Sequence, residues 1–284
     1  MNDPFNEEFI LSHALMEDIG AGDITASAVI PESHRSEAAL VAKETFVLAG
    51  LPFAKKVFKL INPELKFKTI KKDGSTVKKG TVIARISGST RGLLAGERTA
   101  LNLVQRLSGV ATLTQRFVKR VEGLPVKVFD TRKTTPGLRF FEKYAVRMGG
   151  GSNHRFGLFD GILIKDNHIT AAGGVKKAVR LARKNVRRKL RIEVETRNIK
   201  EVREALSSSA DIIMLDNMSL NDMKKSVGII RGKKHGTVIE ASGNIKEENI
   251  RAVAETGVDM ISAGALTHSA SAVDISMDLT DVSD

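Results

Sequence analysis

From Val126 onward the chain alternates short apolar runs with segments of helical periodicity, and each run closes on charged, hydroxyl or glycine residues. The runs are KVFD ending at Asp130, ILIKD at Asp166, IEVE at Glu195, IIMLD at Asp216, VIEASG at Gly243 and MISAG at Gly264. Each has the length of a buried parallel strand, and most are rich in Val, Ile and Leu. Strand–helix repetition of this kind calls for a parallel sheet with helical crossovers. In an α/β barrel, functional groups gather where the carboxyl ends of the strands meet around one mouth. An open doubly wound sheet collects ligands only at its switch point. Polar ends on every strand therefore favour a barrel with one shared polar crater.

The helices between these runs have readable boundaries. Asn198 with Glu201, and Ser219 with Asp222, have the spacing of capping boxes. Ile199, Val202 and Leu206 form one apolar stripe; Leu220, Met223, Val227 and Ile230 form another. Thr256-Gly257 stops the helix that holds Ile250, Val253 and Ala254.

The earlier part reads differently. Residues 38–43 and 66–70 read as strands, and residues 51–61 as a helix. The stretch KKDGSTVKKGTVIARISG has a hairpin rhythm with Asp73-Gly74 as a turn. It resembles lipoyl and biotinyl carrier modules, but a matching second half around an exposed lysine is missing, so a structural role is the better reading. Residues 98–121 read as a long helical segment broken near Ser108-Gly109. The expected division is an N-terminal domain over 1–110, with the tail 270–284 packing back on it, and a barrel over 111–269.

Charge narrows the function. The 284 residues carry 45 Lys and Arg against 33 Asp and Glu, a net charge of +12. Such a chain serves either nucleic-acid phosphates or a small, highly anionic substrate. Much of the surplus, Lys176, Lys177, Arg180, Arg183, Lys184, Arg187, Arg188 and Lys189, falls on the polar side of a helix. Its apolar side is Val175, Ala178, Val179, Ala182 and Val186, so a solvated face is the plain reading. With no Trp and one Tyr, stacking platforms for single strands are scarce, and nucleic acid is not the expected partner. The absence of Cys excludes disulfides, thiolate nucleophiles and cysteine metal sites. No apolar run approaches the ~18 residues of a membrane span. The acidic start MNDPFNEEFI does not read as a secretory signal, so a cytoplasmic location is expected.

Arg132, Lys133, His154, Arg155 and Lys165 stand in or beside the strand ends. Any one could serve a salt bridge. Together they make a cavity that attracts a polyanion, Arg for bidentate carboxylate or phosphate contacts and Lys as a point charge. Glu195 and Asp216 end consecutive strands. They either neutralise neighbouring cations or hold Mg²⁺, which takes one or two carboxylates plus substrate phosphates. Glycosidases also use two carboxylates but would not call for so many cations. Asp130 and Asp166 are further candidates, more suited to orienting a neighbour. Ser242-Gly243 and Ser262-Ala263-Gly264 follow the last two strands, where barrels commonly bind phosphate. Gly149-Gly150-Gly151 implies a mobile or tightly packed loop presenting His154 and Arg155, and no P-loop pattern is present.

The segments EDIGAGDIT, GERTALNLVQRLSGVAT, DTRKTTPGLR, GGGSNHRFGLFDGILIKDNH, IEVE, IIMLDN, EASGNI and GVDMISAGALTHS cover nearly the whole chain in order. In them the sequence resembles the nicotinate-nucleotide pyrophosphorylase (carboxylating), or quinolinate phosphoribosyltransferase, family of NAD biosynthesis. The resemblance implies an incomplete α/β barrel with an N-terminal α/β sandwich domain. It also implies a homodimer in which one subunit closes the other's active site. Its substrates would be quinolinate and phosphoribosyl pyrophosphate, with Mg²⁺. On this chain Arg132, Arg155 and Lys165 would bind the quinolinate carboxylates, with Thr131, Lys133 and His154 beside them. Arg98 would be donated to the partner's site. Glu195 and Asp216 would lie near ribose and Mg²⁺, with Lys133 sharing their catalytic role. Ser242, Gly243 and Asn244, and Ser262, Ala263 and Gly264, would cradle the 5′-phosphate. Asn244 departs from the second glycine usual in the family. If the position needs a positive φ, Asn tolerates it better than most residues. The nearest rivals are a same-fold relative with another aromatic acceptor and a silent protein that binds a ligand or nucleic acid through the basic crater.

Overall fold

A computed structural model describes residues 7–186, 190–233 and 236–281. In chain order the first elements are α1 (Glu7–Ile19), α2 (Ile24–Val29), β1 (Arg35–Ala42), β2 (Phe46–Val47), α3 (Leu51–Ile61), β3 (Lys66–Thr69), β4 (Thr76–Val77), β5 (Val82–Ser89) and α4 (Thr90–Arg120). Then come β6 (Lys127–Phe129), α5 (Arg139–Met148), β7 (Ile162–Ile164), α6 (Asp166–Ala172), α7 (Val175–Asn185), β8 (Ile192–Thr196), α8 (Ile199–Ser207), β9 (Ile212–Asp216) and α9 (Leu220–Lys233). The last are β10 (Val238–Ser242), α10 (Ile250–Ala254), β11 (Met260–Ser262), α11 (Ala265–His268) and β12 (Ile275–Asp281). The chain forms two compact units. One takes the residues up to Gln115, Thr135–Gly150 and the residues from Ala270 onward; the other takes Arg116–Thr134 and Gly151–Ser269. A break near residue 110 would fall inside α4. No helix among the described residues is long and apolar enough to cross a membrane.

The first unit is built on an antiparallel sheet ordered β12-β1-β5-β3. The C-terminal tail supplies its edge: β12 pairs with β1 from Ser36↔Asp281 to Ala42↔Ile275. The burial of β1 alternates along the strand, Ala38, Leu40 and Ala42 facing the core. Two readings of this region need correction. Asp73-Gly74 does form a turn, Ser75 N–H donating to Lys72 O at 3.2 Å, but it closes no hairpin, because β3 pairs with β5 and β4 with β2. Asp73 instead caps α3, accepting from the backbone N–H of Gly50 at 2.6 Å, and its carboxylate also takes the Tyr144 hydroxyl at 2.8 Å. Nor is α4 broken at Ser108-Gly109. Ser108 lies buried and its hydroxyl donates to Ala49 O at 3.2 Å while accepting from Ala49 N at 3.0 Å. A Cβ on Gly109 would stand 1.9 Å from Ser271 O, so glycine there permits close packing within an intact helix. Gly149 follows the same logic against Ala111 O at 2.3 Å.

The second unit is a parallel sheet ordered β6-β11-β10-β9-β8-β7. Each strand from β7 to β10 pairs with its successor, and β11 returns to β6. A doubly wound sheet would reverse direction partway; this order is that of an α/β barrel left incomplete between β6 and β7. On the open side of β6, Ser152 makes a short parallel bridge to Phe129. The helices follow their sequence signals. Asn198 Oδ1 accepts from Glu201 N at 3.0 Å, and Ser219 Oγ accepts from Asp222 N at 3.1 Å. Gly257, at φ +92, follows α10 as expected. On α7, Val175, Ala178 and Val179 are buried, but the helix ends at Asn185 and Val186 is exposed. Arg187, Arg188 and Lys189 lie outside the described residues.

Candidate active site

The carboxyl ends of these strands surround a cavity of about 690 Å³, lined entirely from the second unit. Thr131, Arg132, Lys133, His154, Arg155, Lys165, Glu195, Asp216, Ser242, Gly243, Asn244, Ser262 and Gly264 all line it. Side chains alternate along a strand, so Glu195, Asp216, Ser242 and Ser262 share the inward face that their burial and the cavity lining show. Two expected residues stand elsewhere. Arg98 lies on α4 in the first unit. Ala263 is buried, and its N–H donates to Phe129 O at 3.0 Å, so it extends the sheet and has no free donor for an anion.

On one side, Arg155 Nη1 donates to Gly161 O at 2.9 Å. Burial, and then repulsion from Arg132, pulls the Arg155 guanidinium below its ordinary value. Two guanidinium groups crowded at the cavity wall suit a dianion. Lys133 takes its shape from Thr131, whose hydroxyl accepts its N–H at 3.0 Å, and from Thr267, which donates to its carbonyl at 2.7 Å. Gly264 makes room for it: a Cβ there would meet Lys133 Cδ at 2.9 Å.

On another side, Lys165 donates to Glu195 Oε2, and Arg197 Nη2 lies 4.0 Å from Glu195 Oε1. The pairing of Glu195 with a neighbouring cation, one of the two sequence readings, is thus present. Asp216 Oδ2 accepts from Asn217 Nδ2 at 2.9 Å. Across from these acids, Gly243 and Asn244 adopt left-handed backbone, φ +93 and +50. The condition under which Asn could replace glycine at 244 is therefore met.

Deeper in the barrel, one alternation below Glu195 and Ser242, Glu193 and Glu240 are buried. His154 Nε2 lies 3.2 Å from Glu193 Oε2 and 3.4 Å from Glu240 Oε2. The His154 N–H is held by Asp130 Oδ1 at 2.9 Å, and its Nδ1 accepts from the backbone N–H of Arg155 at 2.8 Å. Asp130 therefore orients, as its position suggested. Burial pulls the imidazole down, but hydrogen bonds and charge from Glu193 and Glu240 outweigh it and push His154 up to about 10. Burial above all raises Glu193 to about 7. Because the Arg155 N–H points at Nδ1, the ring turns Nε2 toward the two acids. The three ligand atoms lie within 4.8 Å of one another, but a metal there would have to displace the Nε2 proton.

Sequence reasoning missed Glu193, Glu240, Asn217, Lys246 and His268, the last four also lining the cavity. The signal for the first two was available: IEVE and VIEASG each place an acid two residues before a strand-end residue of the cavity, hence on the same face. Asp166, by contrast, faces solvent and pairs with Arg197 at 2.6 Å.

Two family descriptions match the chain: quinolinate phosphoribosyl transferase, N-terminal domain, over residues 23–108, and the C-terminal domain over residues 110–278. A probable nicotinate-nucleotide pyrophosphorylase [carboxylating] from Synechocystis is 47% identical over 269 residues, covering 95% of this chain and 91% of that one. Its Bacillus subtilis counterpart is 45% identical over 271 residues, covering 95% and 92%. The crystal structure of NadC from Streptococcus pyogenes superposes with a TM-score of 0.93 at 43% identity, covering 100% of this chain and 99% of that one.

Proposed function

The chain belongs to the quinolinate phosphoribosyltransferase family, and on that premise we propose that it joins quinolinate to phosphoribosyl pyrophosphate, releasing nicotinate mononucleotide, pyrophosphate and CO₂ in NAD biosynthesis. The observation that carries this reading is the single cavity. It gathers Arg132, Lys133, His154, Arg155 and Lys165 with two acids and two hydroxyl–glycine loops. A dicarboxylate and a sugar phosphate are ligands of that chemistry.

Arg132 and Arg155 clamp the two carboxylates and hold the ring nitrogen against the anomeric carbon, an orienting effect that can supply up to ~7–11 kcal/mol. The ring nitrogen forms its bond to that carbon as pyrophosphate departs with the bonding electrons. Lys165 adds a point charge to that clamp, and Lys133 stabilises the charge on the departing group. Glu195 and Asp216 favour the positive charge developing on the ribose. The 2-carboxylate then leaves as CO₂, and its ring carbon takes up a proton. Ser242, Gly243, Asn244, Ser262 and Gly264 hold the 5′-phosphate.

For Mg²⁺ the donor set fits. Asp216 has an oxygen beyond its bond to Asn217, whereas Glu195 already holds Lys165. Asp216, with Glu195 behind it, would hold the ion together with substrate phosphates and water. The ion would supply charge neutralisation for pyrophosphate. We also place Arg98 in the site of a partner subunit within a homodimer, and the reaction in the cytoplasm, which suits a chain without cysteine.

Incubation with quinolinate, phosphoribosyl pyrophosphate and Mg²⁺ tests the reading, nicotinate mononucleotide and CO₂ being the expected products. No product from quinolinate, with turnover of another aromatic acid, would replace the acceptor. Mixing the Arg98→Ala and Arg155→Ala variants tests the shared site: recovered activity supports it, and none removes it.

A further inference from the structure

Glu240 sits at an interior barrel position that Val or Ile would fill without desolvating a carboxyl group. A buried carboxylate has to be compensated by what it touches, and what Glu240 touches lies on two sides of the cavity. Its Oε1 accepts from the Ser262 hydroxyl at 2.6 Å. Its Oε2 faces His154 Nε2 at 3.4 Å. Ser262 ends β11 and leads into Gly264 on the phosphate side; His154 precedes Arg155 on the acceptor side. The side chain is fully enclosed, so it cannot turn toward one neighbour without leaving the other.

We propose that Glu240 is a positioning residue that holds the acceptor half and the phosphate half of the cavity in register, through His154 and Ser262 respectively. The inference rests on the functional reading above for which half takes which substrate. Glu193 reaches the same ring from β8 and meets the phosphate side only through Glu240, so its loss should weigh first on the acceptor side and provides the comparison. A residue that merely filled the core would change the amount of folded enzyme and leave both KM values where they were.

Steady-state kinetics on Glu240→Gln and Glu193→Gln tests this. Glu240→Gln is expected to raise KM for both substrates about tenfold, the scale of lost orienting partners, with a smaller change in kcat. Glu193→Gln is expected to raise KM for quinolinate more than KM for phosphoribosyl pyrophosphate. A Glu240→Gln enzyme with one KM or neither altered overturns the proposal. Should that variant fail to fold, the His154→Asn and Ser262→Ala pair answers instead. KM effects that fail to multiply in the double variant support the link, and effects that multiply within about twofold overturn it. Wild-type enzyme that makes no product defeats the functional reading. Active wild-type enzyme with unmoved variants defeats only this inference.

Discussion

Asn244 Nδ2 donates to Asn217 Oδ1 at 3.0 Å, and both residues hold left-handed backbone, φ +50 and +54. Asn217 in turn donates to Asp216, so the phosphate loop and the acid at the end of β9 are linked through two side-chain amides. A Cβ on Gly243 would stand 2.3 Å from Asn217 Oδ1, which leaves that position to glycine.

The link separates two effects at Asn244. Asn244→Ala keeps a Cβ in a left-handed position without the side chain that tolerates it, and should destabilise the fold by about 1–2 kcal/mol. Asn244→Gly removes the strain together with the amide. It should cost less stability but raise KM for phosphoribosyl pyrophosphate, because Asp216 loses its indirect tether. Urea unfolding and KM measurements on the two variants check this, and identical behaviour of the two would count against it.

The cation cluster makes a sharper demand. If Lys133 and Arg155 act in the transition state, Lys133→Ala and Arg155→Ala should each lose at least ~10² in rate. Arg155→Lys should not recover the loss, since an ammonium cannot make the planar, two-pronged contact. Rates of nicotinate mononucleotide formation decide it, and near-wild-type turnover in both alanine variants removes those roles.

Two glycines on helices should respond with opposite signs. Gly109→Ala drives a Cβ against Ser271 O, a backbone atom that cannot step aside, and should cost about 3 kcal/mol or more. Gly228, inside α9, has nothing within 4 Å of its missing Cβ, so Gly228→Ala should stabilise by about 0.5–1 kcal/mol. Thermal unfolding of the pair reads both signs in one experiment.

These glycines also show what a sequence conceals. The six strand ends were legible because alternation and burial are local properties of a few consecutive residues. Asn198 and Ser219 were legible because a cap and its partner lie within one turn. Gly109 read as a break because its reason, Ser271, lies more than 150 residues away. Asp73 read as a hairpin turn for the same reason, its partners being Gly50 and Tyr144. Glu193 and Glu240 were hidden differently. An acid inside an apolar run looks like a strand end until the sheet fixes which residues lie one layer below the mouth.

That hidden layer sets a pH dependence. Burial lowers His154, but Glu193 and Glu240 overcome it and raise the ring to about 10; burial above all raises Glu193 to about 7. Both folded values lie above the ordinary 6.5 and 4.5. Folded His154 and Glu193 therefore bind more protons than they do in the unfolded chain, and their stabilisation is complete at low pH and lost as pH rises through the folded values. Stability should decline between about pH 5 and 10, by no more than ~1.4 kcal/mol per pH unit for each proton. Arg155 beside Glu193 works against proton uptake by the acid but remains charged throughout, so it cannot reverse the sign. His154→Gln removes the ring's share and should flatten the decline between about pH 7 and 10. Urea midpoints of wild type and variant across that range decide the matter. Parallel curves would mean that the ring carries no extra proton there, and that it is held by geometry alone.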